Sequence, residues 1–212
     1  MILFMQTIIL VSGNPCSGKS TTVKSLHEYI TNHGHTATMF LRDYRANNDM
    51  LTQNLCLSVY KWMNEKETEF LIIDSHMYTV FDRMDLMDTI NRMTQGESEN
   101  DVYVVSINID RNNSFLIDIN STNGHVPYKK PMMQKLMHLY QQPVSSEGFD
   151  LCYYLSGKKY LDPSHMFEQL AKHLDSRFDE LVDVTEEAVA ETAEPEEEPV
   201  NLIPGVEMEQ IQ

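Results

Sequence analysis

Cysteine is scarce in this sequence. There are three in 212 residues, Cys16, Cys56 and Cys152, far apart and without a zinc or redox spacing. That argues against a disulfide scaffold and a cysteine-built metal centre, and for a reduced, intracellular, soluble chain. No apolar run approaches the ~18–20 residues a membrane-spanning helix needs, so no membrane partner is expected. The first eleven residues are apolar but have neither a basic leader nor a small-residue cleavage site. They run straight into a glycine turn, and read as a buried strand rather than an address. The eight histidines never fall in H-x-x-x-H or H-E-x-x-H order, which removes the usual zinc-hydrolase signature.

Positive charge is also thin, with 16 Lys and Arg against 32 Asp and Glu. Twelve of those acids and none of the bases lie in 179–212, so residues 1–178 carry 20 acids against 16 bases, a net of −4. Such a body lacks the basic footprint of a protein that grips a duplex over many phosphates. It still suits a single nucleotide, a short strand or a nucleic-acid end.

What is present is a core and an alternating pattern. The sequence is 42% hydrophobic, enough for one domain with its own interior. Strands are expected at 2–11, 36–41, 70–73 with Asp74 closing it, 102–109 ending at Asp110, and 151–155. Helices are expected at 19–33, 50–64, 81–93, 131–140 and from 165 to 174 or beyond. The stretch 111–128 is polar, with Asn123-Gly124 and Pro127 as breakers, and reads as irregular. Alternating strands and helices imply an α/β fold of three layers, a parallel sheet covered on both faces. The domain is expected to span 1–178. The tail 179–212, rich in Glu, Pro and Ala, is expected to be disordered.

One motif carries most of the chemistry. Gly13-Asn14-Pro15-Cys16-Ser17-Gly18-Lys19-Ser20 matches G-x-x-x-x-G-K-[ST] in full, between an apolar strand and a helical pattern. Glycines let backbone N–H groups turn toward phosphate oxygens, and the following helix aims its unsatisfied N–H groups at the same anion. Lys19 is expected on the β- and γ-phosphates of ATP, the Ser20 hydroxyl on Mg²⁺, and Thr21 on a further phosphate oxygen. This is a P-loop, and the fold class becomes that of the P-loop NTPases.

Two further acids stand at strand ends. Asp74 follows four apolar residues, the arrangement of an acid that orients Mg²⁺ across from the phosphate loop; the lesser alternative is that it caps the next segment. Asp43 follows the second strand within Arg42-Asp43-Tyr44-Arg45. There it either accepts a proton from an attacking hydroxyl, with Arg45 or Arg42 holding an anionic group of the acceptor, or forms a surface ion pair. His76 faces the acceptor or solvent. Tyr60 and Trp62 either stack on a base or pack in the core.

Taken in order, the phosphate loop, Arg42 to Arg45, the strand to Asp74 followed by Arg83, the Asp110 strand end and the segment 120–127 resemble one family over roughly 5–140. It is the kinase domain of phage-type polynucleotide kinases and their relatives, among them seryl-tRNA kinases and phage 5-hydroxymethyluracil DNA kinases. The resemblance implies Asp43 as general base and Arg45 as acceptor contact. Here only Tyr44 separates the two, one residue fewer than in the family, which makes Arg42 a rival. Relatives also carry arginines before the Val-Pro pair, whereas 114–127 has no Lys or Arg; Arg111, His125, Lys129 and Lys130 flank or punctuate it.

The resulting expectation is an ATP- and Mg²⁺-dependent kinase that phosphorylates a hydroxyl on a nucleic acid, either 5-hydroxymethyluracil in phage DNA or a 5′-hydroxyl end. The basic residues available to meet DNA are Arg42, Arg45, Arg83, Arg111, Lys129, Lys130, Lys158 and Lys159. A nucleoside monophosphate or small-metabolite kinase, and a nucleotide-dependent regulatory protein without catalysis, are the alternatives.

Overall fold

Runs rich in Ile, Val and Leu form three neighbouring strands of one parallel sheet. The structure is a computed structural model that describes residues 6–41, 48–65, 67–75, 77–94, 102–122, 128–156, 168 and 172. In chain order the elements are β1 (Gln6–Gly13), α1 (Lys19–Asn32), β2 (Ala37–Phe40), α2 (Asn48–Glu65), β3 (Phe70–Asp74), α3 (Val80–Thr94), β4 (Val102–Asp110), α4 (Asn113–Thr122), α5 (Lys130–Leu139), a 3₁₀ turn (Ser145–Glu147) and β5 (Leu151–Ser156). The chain divides into two units, Met1–Glu168 and Gln169–Gln212. In the second only Lys172 is described, an exposed helical residue. The expected tail, 179–212, lies outside the described residues.

The sheet order is β2-β3-β1-β4-β5, with every pair parallel. All eight residues of β1 are buried, as a central strand covered on both faces requires. One face, with Ile8, Leu10, Leu71, Ile73 and Val104, packs on Leu55, Val59, Trp62 and Met63 of α2 and on Leu86, Met87 and Ile90 of α3. Residues of opposite parity, Ile9, Val11 and Ile72, are equally buried. They face the other side, where α1 packs on β1 and β3 and buries Val23, Leu26 and Ile30 at helical spacing. This is the three-layer α/β architecture of P-loop NTPases. Among the described residues no helix is long and apolar enough to cross a membrane.

The register sets the working edge. Val11 pairs with Asp74 and Gly13 with Ile109, so β1, β3 and β4 end together, at the carboxyl edge where open α/β sheets bind ligands.

The clearest departure from the sequence pattern is α4, a helix within the stretch expected to be irregular. Its Asn, Ser, Thr and Asp residues are poor helix formers, yet Asn112 caps it, its Oδ1 accepting from the Ser114 N–H at 2.9 Å. Leu116 is fully buried, and Asn120 follows one turn later on the same face. Tertiary burial outweighs weak propensity.

The histidines near the end of α1 each have a local partner. His27 Nε2 lies 3.1 Å from the Ala37 carbonyl and His33 Nδ1 2.8 Å from that of Tyr29. His35 Nδ1 lies 3.2 Å from Glu69.

Candidate functional site

The phosphate loop joins β1 to α1. Gly13 has φ +148, and a Cβ there would lie 2.6 Å from the Ile109 carbonyl oxygen and 2.7 Å from Ser17 Oγ. Only glycine fits, because β4 closes against the start of the loop. Gly18, at φ 100, is the N-cap of α1, with no side-chain cap and no acid in the first turn. The first N–H groups of that helix are thus arranged for an anion. Cys16 sits in the left-handed region at φ 63. Pro15 and Ser17 are buried and Thr21 is exposed.

Lys19 is buried, and its ammonium donates to the carbonyls of Gly13 and Asn14, each at 2.8 Å, clasping the loop from within. Ser20 Oγ donates to Asp74 Oδ2 at 2.5 Å. Asp74 is 2% exposed, and its other oxygen, Oδ1, has no hydrogen-bond partner among the described residues. A carboxylate oxygen buried without a partner is costly, and a cation or its water would satisfy it. A hydroxyl beside a carboxylate is a hard oxygen donor set that fits Mg²⁺.

The capping role considered for Asp74 belongs to other residues. Tyr78 and Thr79 N–H donate to Asp82 Oδ2 at 3.0 and 2.9 Å, and Asp82 N–H donates to Thr79 Oγ1 at 3.2 Å, a reciprocal cap on α3. Arg42, Asp43, Arg45 and His76 lie outside the described residues. The last residue of β2, Phe40, pairs with Ile73, which precedes Asp74.

The segment after β4 meets the loop through Asn120. Its side chain exchanges two hydrogen bonds with the Tyr128 backbone, Nδ2 donating at 2.8 Å and Oδ1 accepting at 2.9 Å. Cys16 Sγ lies 3.7 Å from the same Oδ1. Burial pushes the Cys16 thiol up from its ordinary value, while the Lys19 charge pulls it down.

One expectation needs correction. Arg83 is not available to nucleic acid. It is fully buried, forms a bidentate pair with Glu147 at 2.7 and 2.9 Å, and donates to the Gln141 carbonyl at 2.9 Å. Trp62 is a core residue whose indole N–H donates to Thr68 Oγ1 at 2.6 Å; Tyr60 remains exposed. Of the other basic candidates, Lys129 and Lys130 are exposed and Arg111 half-buried, its guanidinium 6.0 Å from the Phe115 ring centre. No local pattern in the sequence marks Tyr78. Its buried ring lies 6.0 Å from the Lys19 ammonium, a proximity that local spacing does not reveal.

Residues 6–196 match the family described as Chromatin associated protein KTI12. Among solved structures, Chaetomium thermophilum Kti12 in complex with ADP-AlF3 superposes with a TM-score of 0.61 at 14% identity, covering 78% of this chain and 97% of that one. A fungal RNA kinase gives 0.59 at 15% identity, over 84% of this chain and 46% of its own. APE1195 gives 0.56 at 14% identity, over 82% and 97%. No curated protein matches. At these identities the likeness is one of fold, a kinase-like P-loop fold. The narrower resemblance to phage 5-hydroxymethyluracil DNA kinases gains no support from these matches.

Proposed function

This chain belongs to the KTI12 family, and on that footing we propose that it binds ATP with Mg²⁺ and transfers the γ-phosphoryl group to a hydroxyl on a nucleic acid. The observation that carries the reading is the Ser20–Asp74 pair at the mouth of a loop whose helix N-terminus has no side-chain cap. Lys19 lies against the β- and γ-phosphates, and Ser20 and Asp74 hold the metal. Mg²⁺, when bound, neutralises charge on the phosphates. Asp43 takes the proton of the acceptor hydroxyl while the hydroxyl oxygen bonds to the γ-phosphorus and the bond to the β-phosphate oxygen breaks, releasing ADP. Arg45 or Arg42 holds a phosphate of the acceptor. The ADP-AlF3 complex of Chaetomium Kti12 supports the nucleotide part of this reading, and the fold shared with an RNA kinase supports the acceptor class.

A second reading, a slow ATPase whose nucleotide state governs binding, is favoured by two observations. The helix α4 contains no Lys or Arg, and Arg83 is held by Glu147. Where an arginine stabilises the transferred phosphoryl group its loss costs ~10³–10⁵ in rate.

The test uses γ-labelled ATP with 5′-hydroxyl RNA and DNA oligonucleotides, hydroxymethyluracil DNA and a nucleoside monophosphate panel. Label on an oligonucleotide, abolished in Asp43→Asn, is the expected result; label confined to mononucleotides sinks the nucleic-acid acceptor. Inorganic phosphate alone supports the ATPase reading. Lys19→Ala should weaken ATP binding by about 100-fold, read by calorimetric titration.

A further inference from the structure

The phosphate loop's lysine has a neighbour outside the motif. Tyr78, four residues past Asp74, is 5% exposed and Lys19 is 8% exposed, and the Lys19 ammonium stands over the Tyr78 ring, 6.0 Å from its centre. We propose that Tyr78 is a positioning residue for Lys19, its aromatic face holding the ammonium on the side from which it meets the terminal phosphates of the bound nucleotide. The inference rests on the reading that Lys19 binds those phosphates.

Three features of the structure argue for it. First, a buried ammonium needs compensation wherever it points. The carbonyls of Gly13 and Asn14 supply part of it, and an aromatic face supplies more while limiting where the side chain can swing. Second, the ring helps to dry the site. An ammonium walled from water by a buried ring meets phosphate in a lower local dielectric, where the attraction is stronger.

Third, the Tyr78 backbone is fixed at both ends. Its N–H donates to Asp82 Oδ2 at 3.0 Å, and its carbonyl accepts from Gln141 N–H at 2.7 Å. Gln141 is itself tied back, its side-chain oxygen accepting from Val80 N–H at 2.9 Å and its carbonyl from Arg83 Nη1 at 2.9 Å. Arg83 is in turn locked to Glu147. The network spans α3, the segment after α5 and the 3₁₀ turn, and it converges on the residue that faces Lys19.

The experiment is a double-variant cycle on nucleotide affinity, with melting temperature recorded for every protein. Tyr78→Phe keeps the ring and should hold ATP Kd within about two-fold of wild type. Tyr78→Met keeps similar volume without the ring and should raise Kd about ten-fold. In a Lys19→Ala background, Tyr78→Met should change Kd by less than about two-fold, because the group that the ring positions is gone. Equal losses from Tyr78→Met in both backgrounds would overturn the proposal and leave a merely structural ring. If Tyr78→Met does not fold, pentafluorophenylalanine at position 78 keeps the ring's shape and reverses its quadrupole. It should weaken ATP where Phe does not, and equal affinity for the two would also overturn the proposal. A Lys19→Ala chain that binds ATP as well as wild type would instead sink the phosphate-loop reading and this inference with it.

Discussion

Tyr140 shows how a single side chain links the stability of the fold to protonation. Its hydroxyl donates to Asn108 Oδ1, and burial pushes its phenol up to about 12. An unfolded tyrosine titrates near 10. The native state therefore keeps a proton that the unfolded chain releases, so the stabilisation is complete below about pH 10 and is lost as pH rises through about 12. Tyr140→Phe should cost about 1 kcal/mol at neutral pH, through an unsatisfied Asn108. It should also flatten the alkaline decline relative to wild type. Urea denaturation at pH 7 to 11.5 checks both, and parallel declines would show that Tyr140 is not the group responsible. At this scale the phosphate loop was readable because its chemistry is local: Gly13, Gly18, Lys19 and Ser20 lie within eight residues. Tyr78 was not, because 58 residues separate it from Ser20 and only the fold brings its ring beside Lys19.

At the scale of elements, strands buried on both faces announce themselves as apolar runs, and β1, β3 and β4 fall close to the expected ranges. Helix α4 did not, since its ten residues, Asn-Ser-Phe-Leu-Ile-Asp-Ile-Asn-Ser-Thr, favour turns and strands by composition. What holds it is one cap at Asn112 and the burial of Leu116 and Asn120. Leu116→Ala should therefore destabilise the protein by about 2–5 kcal/mol. Because Asn120, one turn on, touches Cys16, the same change should weaken ATP binding. A melt combined with an ATP titration reads both effects. A stability loss with unchanged affinity would separate α4 from the phosphate loop.

At the scale of the molecule, α3 is tied to the 3₁₀ turn by a pair that no local pattern announces. Arg83 and Glu147, 64 residues apart, are 0% and 5% exposed in their side chains. Arg83→Met alone leaves a buried carboxylate uncompensated and should cost about 3–5 kcal/mol. Arg83→Met combined with Glu147→Met should recover most of that loss in chemical denaturation, whereas a purely additive result would mean that packing rather than charge holds the pair. Read as a linear string, Arg83 was one more cation available to nucleic acid, because sequence records charge but not what lies opposite it in space.

The sequence by itself determined the phosphate loop, the parallel α/β alternation and the strand-end acid Asp74, because each is written in neighbouring residues or in a short hydrophobic period. Only the tertiary structure decided the order β2-β3-β1-β4-β5, which sets β3 beside β1 and so brings Asp74 to Ser20. It alone also formed α4, withdrew Arg83 into the interior and placed Tyr78 against Lys19. These outcomes depend on packing between segments tens of residues apart, and the energy of such contacts has no signature in local propensity.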